Sequence, residues 1–367
     1  MRPQIPSFKQ LKKMKCLNYI FATFSIFTGS KSFADNPILG SKYLNKNGLH
    51  CLRMRLADWK SNLYRKTLKS KIPSKYIDDY ERNGYIEIKN YLGQPVFNHI
   101  CDEILNHKWH RLDMNQGGVV TRRVLLDSNY LEKKDLLYLK KVIESANLKN
   151  LIRYVAGTGG EPIFSLQAIF AGFFRKNNDP QASYHSDTFH STAKAWLFLE
   201  DVNEKDGPFS YINGSHKLSR QRLDWEQKMS CEASNHPIRY HARGSFRASD
   251  SDLLQLNLNQ KTTFSVKANT LVIANTMGFH RRTPSHKQNL RVEIYASLRK
   301  NPFSLLPGID ILSIPPINSR IGSCYWFAIK KSSQWLGTKQ PWKESGFGFI
   351  KEHIKRMKQH SSIERGI

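Results

Sequence analysis

The sequence predicts a mainly β protein with helices packed outside its sheets, a β-sandwich or barrel in outline. Three observations carry that expectation. Runs at 165–174, 193–202, 207–212, 262–275 and 290–299 are rich in Val, Ile, Phe, Tyr and Thr and are bounded by turn residues such as "NEKDGP" and "NGSH". An alternating run, Tyr85-Ile86-Glu87-Ile88, comes before them and leads into a helically spaced segment at 93–109. The residues before 76 are basic and helix-like, so helices precede strands.

Composition supports a folded chain. Of 367 residues, 40% are hydrophobic and 11% aromatic, which supplies a sizeable core and excludes long-chain disorder. Charge is the unusual quantity. Lys and Arg number 57 against 30 Asp and Glu, a net charge of +27. Such an excess favours an anionic counterpart: nucleic acid, an acidic lipid surface, or a phosphorylated or carboxylated substrate. The core shows no regular interleaving of aromatics with Lys and Arg that would build a base-stacking groove, which argues against nucleic acid. The five cysteines form no CxxC, so a zinc ribbon or a thioredoxin-type site is excluded, and reduced thiols are expected. No run of about 18 apolar residues occurs, so no membrane-spanning helix is expected. The stretch from Met14 to Ala34 reads like a secretory signal, but Asn18, Tyr19 and Thr23 dilute it; signal and buried helix both stay open.

The pattern divides the chain into a basic helical N-terminal extension (1–75), a catalytic body (76–310) and a basic C-terminal extension (311–367). In the first, Leu49, Leu52, Leu56, Trp59 and Leu63 recur at helical steps, with Arg53, Arg55, Lys60, Arg65 and Lys66 around them. That face is expected to lie on the domain core; the other reading is a helix resting on an anionic membrane. Ile350, Ile354 and Met357 suggest a second basic amphipathic helix near the C-terminus.

The chemistry concentrates in "YHSDTFHSTAKAWLFLE". A strand sets residues i and i+2 on one side, so His185 and Asp187 point together. Such a pair supplies two thirds of a 2-His-1-carboxylate triad, which holds Fe(II) on one face and leaves the opposite positions open. The triad needs a distant second His, and "NTLVIANTMGFHRRTP" ends a β-rich run near His280. Arg291, on the next run, suits the distal carboxylate of 2-oxoglutarate, because a guanidinium matches a carboxylate bidentately. The keto-acid end would chelate iron, leaving one position for O2.

These residues resemble a known family. "HSD" at 185–187, "WLFLEDVNEKDGPFSYINGSH" at 196–216, "FHRRTPSHKQNLRVEIYASLR" at 279–299 and "ERNGYIEIKNYL" near residue 85 look like the phytanoyl-CoA dioxygenase family of Fe(II)/2-oxoglutarate oxygenases. The resemblance covers roughly residues 76–300 and implies a double-stranded β-helix, a jelly-roll or cupin-like core. It implies oxidative decarboxylation of 2-oxoglutarate to succinate coupled to hydroxylation of a C–H bond. By motif position, His185, Asp187 and His280 would ligate iron, Arg291 would take the side carboxylate of 2-oxoglutarate, and Trp196 and Gln167 would line the co-substrate. Related halogenases carry a small residue where Asp187 stands, so Asp187 points to hydroxylation.

Neighbouring residues receive blander readings. His190 breaks the i,i+2 spacing and is expected to line the pocket or face solvent. His216, in "NGSH", is expected to fix a turn by hydrogen bonding. The sequon at Asn213 is read as incidental. Arg281 and Arg282 are either solvated or positioned to meet an anionic substrate, and "GTGG" at 157–160 is a turn rather than a dinucleotide loop. The expected substrate is a small or lipid-like, anionic molecule, with peripheral contact to an anionic membrane as an added option. A non-catalytic scaffold on the same fold, or an oxygenase acting on nucleic acid, are the rival readings. Fe(II) and 2-oxoglutarate are cytosolic reagents, which points to the cytoplasm. Nothing in the sequence names the primary substrate or the oligomeric state.

Overall fold

The computed structural model describes residues 15–173, 179–304, 310–336 and 340–352. Eleven strands are present: β1 (Tyr85–Ile88), β2 (Lys108–Gln116), β3 (Val119–Leu125), β4 (Ile163–Ala171), β5 (Ala193–Phe198), β6 (Phe209–Ile212), β7 (Lys261–Thr263), β8 (Leu271–Asn275), β9 (His280–Arg282), β10 (Asn289–Leu298) and β11 (Lys343–Phe349). Helices of ten residues or more are α1 (Lys15–Phe24), α2 (Leu49–Leu68), α3 (Ser74–Asn83), α4 (Gln94–Leu105), α5 (Ala146–Ala156), α6 (Arg220–Glu232) and α7 (Ile321–Leu336). The strands form an antiparallel eight-stranded sheet, ordered β1-β8-β5-β10-β4-β3-β2-β11, and a three-stranded sheet, β7-β6-β9. From β5 to β10 the chain passes back and forth between the two sheets, with β6 and β7 both in the small one, in the manner of a double-stranded β-helix.

Side-chain alternation explains the layering. On β10, Val292, Ile294, Ala296 and Leu298 join a core with Ile100 and Ile104 of α4 and Leu151, Ile152 and Val155 of α5. The intervening residues, Arg291, Glu293, Tyr295, Ser297 and Arg299, therefore face the other way, toward the small sheet. A second cluster fills part of that space: Trp196 and Tyr295 from the large sheet pack with Tyr211 and Phe264 of the small-sheet side. The large sheet thus has a greasy outer face under helices and a polar inner face.

Several expectations change at this point. The run 262–275 is not one strand. It breaks at Asn269, whose backbone is left-handed (φ 61°), and its two halves enter different sheets. The Asn269 side chain secures the corner through Leu92, accepting from its N–H at 3.0 Å and donating to its C=O at 2.7 Å. Strands β2 and β3 form a hairpin closed by Gly117 and Gly118, both at positive φ. The C-terminal "GFGF" is strand rather than helix: β11 pairs with β2, and Ile350 is fully buried in the main core. Buried Arg122 grips Asp113 with two bonds of 2.9 Å and donates to the carbonyl of Ile350 at 3.1 Å, tying the hairpin to that segment. Ile354 and Met357 lie outside the described residues.

The largest correction concerns α2. It is a helix, as expected, but it buries the opposite face. Leu52 is 55% exposed and Trp59 60%, and Leu56 and Leu63 are also exposed. The buried side carries Cys51, Met54 and Ala57 together with His50, Arg53, Ser61 and Arg65. Those polar residues are buried because each finds partners. His50 meets Glu226 of α6 at 2.9 Å, Arg53 binds main-chain carbonyls, and Arg65 donates to Tyr154 C=O at 3.0 Å and Ser191 Oγ at 2.8 Å. Glu226 also accepts two bonds from Arg222, so an ionised carboxylate sits between α2 and α6; burial opposes its charge, and Arg222 and His50 overcome that, lowering its pKa. Hydrophobic periodicity alone misjudges a helix whose inward face is polar and fully paired.

Asn275 locks several elements together. It is fully buried; Nδ2 donates to Tyr80 Oη and Ser191 Oγ, while Oδ1 accepts from the N–H groups of Thr192 and Met277. Replacing it, Asn275→Ala, strands several buried polar groups. We expect a loss of about 3 kcal/mol, read as a lower urea midpoint with an unchanged slope.

Candidate metal centre

Residues 184–187 run beside β9. His185 N–H donates to His280 C=O, and His280 N–H donates to His185 C=O, each at 3.0 Å. Asp187 N–H donates to Thr276 C=O at 2.8 Å, on the turn between β8 and β9. Main-chain bonds therefore bring together three side chains that are distant in sequence. The imidazole centroids lie 4.5 Å apart. Asp187 Oδ1 is 3.8 Å from His185 Nε2 and 3.7 Å from His280 Nε2. The three ligand atoms fall within 4.8 Å of one another, as a shared cation requires.

The hydrogen bonds decide which nitrogen each ring presents. His185 Nδ1 lies 2.9 Å from Ser183 C=O, and His280 Nδ1 lies 2.9 Å from Gly278 C=O. A carbonyl only accepts, so both Nδ1 atoms carry the proton, and both Nε2 atoms present bare lone pairs. Those Nε2 atoms are buried and have no hydrogen-bond partner. Two unpaired imidazole nitrogens converging on a carboxylate fit a divalent cation, which satisfies all three. Burial, and then the neighbouring His280, hold His185 well below its ordinary pKa, so the ring is neutral and ready to ligate. Lys194 of β5 holds the second Asp187 oxygen at 2.6 Å, leaving Oδ1 free for a metal. Burial opposes ionisation of Asp187, yet Lys194 keeps its carboxyl well below the usual range.

Beside this cluster lies the polar inner face of the large sheet. Trp196 packs on Phe209 at 4.6 Å, and Phe209 packs on His280 at 5.7 Å, so an aromatic wall runs from β5 to the ligands. Arg291 donates from Nη1 to the carbonyls of Asp206 and Gly207, both at 3.0 Å, and its Nε is buried without a hydrogen-bond partner. Glu293 Oε2 lies 3.6 Å from that Nε. Gln167 bridges the group, donating to Glu293 Oε1 at 2.5 Å and accepting from Arg123 at 3.2 Å. Burial raises the Glu293 pKa, with Arg291 opposing.

Other sequence expectations sort plainly. His190 stands outside the metal-ligating group; its Nδ1 donates to Ser191 C=O at 3.0 Å, and its Nε2 is buried and unpartnered. His216 does not fix its loop by hydrogen bonding. Its ring packs on Tyr80 at 5.0 Å, and Ser215 does the tying, donating to Ile212 C=O and accepting from Phe279 N–H. Arg282 pairs with Asp179 at 2.9 Å, and Arg281 lies over the Tyr184 ring. Sequence reasoning missed Lys194, Glu293, Tyr295 and Arg299. A period of two from Trp196 and from Arg291 would have found them all. It also missed Lys31, whose Nζ donates to Asp187 C=O at 2.5 Å and for which the sequence carries no signal.

Residues 80–243 match the model of the phytanoyl-CoA dioxygenase family. The match spans a little under half of the chain. His185, Asp187, Trp196 and Gln167 fall inside it, and His280 and Arg291 lie beyond its end. The match points to an Fe(II)/2-oxoglutarate-dependent oxygenase, and the His-Asp-His cluster fits the metal. Among solved structures the chain is similar to the epimerase SnoN in complex with Fe3+, alpha ketoglutarate and nogalamycin RO (16% identity, 66% of this chain and 90% of that one, TM-score 0.41). It is also similar to the carbocyclase SnoK from nogalamycin biosynthesis (17%, 62% and 84%, TM-score 0.38). A third is HygX from Streptomyces hygroscopicus with nickel, 2-oxoglutarate and hygromycin B bound (14%, 62% and 86%, TM-score 0.37). No curated protein matches the chain.

Burial depresses two histidines that do not belong to the metal cluster, His190 and His216, to about 3. In the unfolded chain each titrates near 6.5. The native state thus binds fewer protons, and their stabilising share, complete above about pH 6.5, is lost as pH falls toward 3. We expect stability to fall by up to about 3 kcal/mol per pH unit between roughly pH 6 and 4. His216→Phe should remove about half of that slope in urea titrations repeated at each pH.

Proposed function

We propose that the protein hydroxylates a small anionic molecule held over His185, Asp187 and His280. The carrying observation is the pair of buried, unpartnered Nε2 atoms converging on Asp187 Oδ1. Bound iron supplies dioxygen activation coupled to conversion of 2-oxoglutarate to succinate. The chain's own residues set the stage for that chemistry. Ser183 and Gly278 carbonyls hold the two rings in the ligating tautomer. Lys194 orients Asp187, and the Trp196–Phe209 wall keeps water from one side. Arg291, braced by two carbonyls, offers its remaining N–H groups to the distal carboxylate of 2-oxoglutarate, with Gln167 alongside. Burial raises the pKa of Glu293, which weakens its competition with that carboxylate for Arg291. The carboxylate at Asp187 favours hydroxylation as the reaction type. The net charge of +27 supports an anionic substrate.

Loss of a ligand is the direct test. His185→Ala, Asp187→Ala and His280→Ala should each abolish tight Fe(II) binding in anaerobic titration and succinate release. Arg291→Met should keep iron and raise the KM for 2-oxoglutarate roughly 10- to 100-fold, the loss of one charge-assisted contact. Tight iron binding by the His185 and Asp187 variants would sink the assignment.

A second reading concerns location, and the exposed face of α2 favours it. Leu52, Leu56, Trp59 and Leu63 form an exposed apolar stripe with exposed Arg55 and Lys66 beside it, and Phe24 and Phe27 are exposed nearby in sequence order. Among the described residues no helix is long and apolar enough to cross a membrane. An apolar stripe bordered by cations suits the surface of an anionic bilayer, with the protein acting at the cytoplasmic face. Wild-type protein should pellet with phosphatidylglycerol vesicles, and Leu56→Glu/Trp59→Glu should stay in the supernatant; equal pelleting of both excludes this stripe as the contact.

A further inference from the structure

Residues 25–36 form a strap next to the metal centre, and one side chain gathers several of its carbonyls. Buried Arg53 of α2 donates to the carbonyls of Ile26 at 2.9 Å, Thr28 at 2.9 Å and Ser30 at 2.8 Å. Farther on, the N–H groups of Phe33 and Ala34 both reach Ala242 C=O at 3.0 Å. The strap passes so close to Gly244 that a Cβ there would lie 2.0 Å from Lys31 C=O. So held, the strap places Lys31 against Asp187.

Lys31 does not stand alone. Arg299, the next inward residue of the β10 row, donates to Gly29 C=O of the strap at 3.3 Å. The guanidinium of Arg247, a residue bridged to His185 through the backbone, donates among the described residues to the carbonyls of Ser245 and Pro180 and to the Ser245 hydroxyl. Lys31 feels the field of both arginines, of Lys194 and of Asp187. No salt bridge links Lys31, Arg247 or Arg299 to a carboxylate among the described residues, and Lys194 already holds the outer oxygen of Asp187. Three cations from three separate segments thus border the metal cluster, with Asp187 as the one carboxylate whose field all three share. Beside them, a Cβ on Gly29 would lie 3.7 Å from His190 Nε2, the buried ring nitrogen that lacks a partner. That nitrogen is an acceptor, because Nδ1 carries the proton.

We propose that Lys31, Arg299 and Arg247 form an oxyanion subsite for the primary substrate, and that His190 Nε2 accepts a hydrogen bond from a hydroxyl next to the anion. The anion is a phosphate or carboxylate; several donors in a partly desolvated mouth suit either. The assignment rests on the oxygenase reading, since it supposes a substrate held over iron. It goes beyond that reading in giving substrate choice to the strap, which lies outside the family-matched stretch.

The test uses full-length protein loaded anaerobically with Fe(II) and 2-oxoglutarate, followed by the visible charge-transfer band of that complex. Inorganic phosphate and dihexanoyl phosphatidic acid are then titrated in separately by calorimetry. Wild type should bind phosphate without bleaching the band. Lys31→Met and Arg299→Met should each weaken phosphate at least about tenfold while the band still forms, and Lys31→Arg should recover most of the loss. Tighter binding of the phosphatidic acid than of phosphate would assign the subsite to a lipid headgroup; equal binding would assign it to a soluble phosphate ester. Unchanged phosphate affinity in both Met variants, absence of phosphate binding, or bleaching of the band by phosphate would overturn the subsite. Phosphate binding by a protein that forms no band would instead overturn the oxygenase reading and leave the subsite standing.

Discussion

The reciprocal main-chain pair between His185 and His280 is the constraint on which the site depends. Backbone bonds set the spacing of the two imidazoles and with it the convergence of the three side chains. That convergence is costly by itself, because two bare nitrogens and a carboxylate share a buried space. The surrounding sheets bear the cost. The small sheet is held against the large one by the Tyr211–Asn275 hydrogen bond as well as by packed aromatics. A divalent ion converts the unfavourable arrangement into a favourable one, so metal loading and folding stability are linked.

Much of this was legible in the sequence where one physical rule dominated. Strands β1, β4, β6 and β10 follow β-branched and aromatic enrichment, and their inward and outward faces follow from alternation. His185 and Asp187 were readable as a pair for the same reason, and His280 because a β-rich run ends beside it. Legibility failed where a second rule competed. Asn269 splits one apolar run into strands of different sheets, and only tertiary contact with Leu92 explains why it turns there. The β2–β3 hairpin has polar strands with Arg122 and Asp113 buried as a pair, so hydrophobic pattern is weak; the Gly117-Gly118 turn was its one local sign. The face of α2 was misread because its buried side is polar and its exposed side greasy. No local rule predicts Lys31 at the metal, since that placement depends on Arg53 two dozen residues away.

The charge excess has two kinds of members. Some cations are internal fasteners, each matched to carbonyls or a carboxylate: Arg65, Arg122, Arg222 and Arg53 belong to this group. Others border the His-Asp-His cluster with no salt bridge to a carboxylate among the described residues, or lie exposed on the α2 surface. Glu293 is the counterpart among acids, a buried carboxyl beside Arg291 whose pKa burial raises. The net charge is therefore partly structural, and only the unmatched remainder speaks to partners.

The grip of Arg53 on the strap has one more implication. The His-Asp-His cluster and the strap beside it are held by different parts of the chain. They can consequently drift at different speeds during descent. Changes between residues 25 and 36 can redirect the catalyst to a new molecule without disturbing its reactive centre, provided that one guanidinium and the carbonyls it gathers persist. Within a lineage, a swap of this short leader would then be a cheaper route to a new specificity than remodelling the barrel.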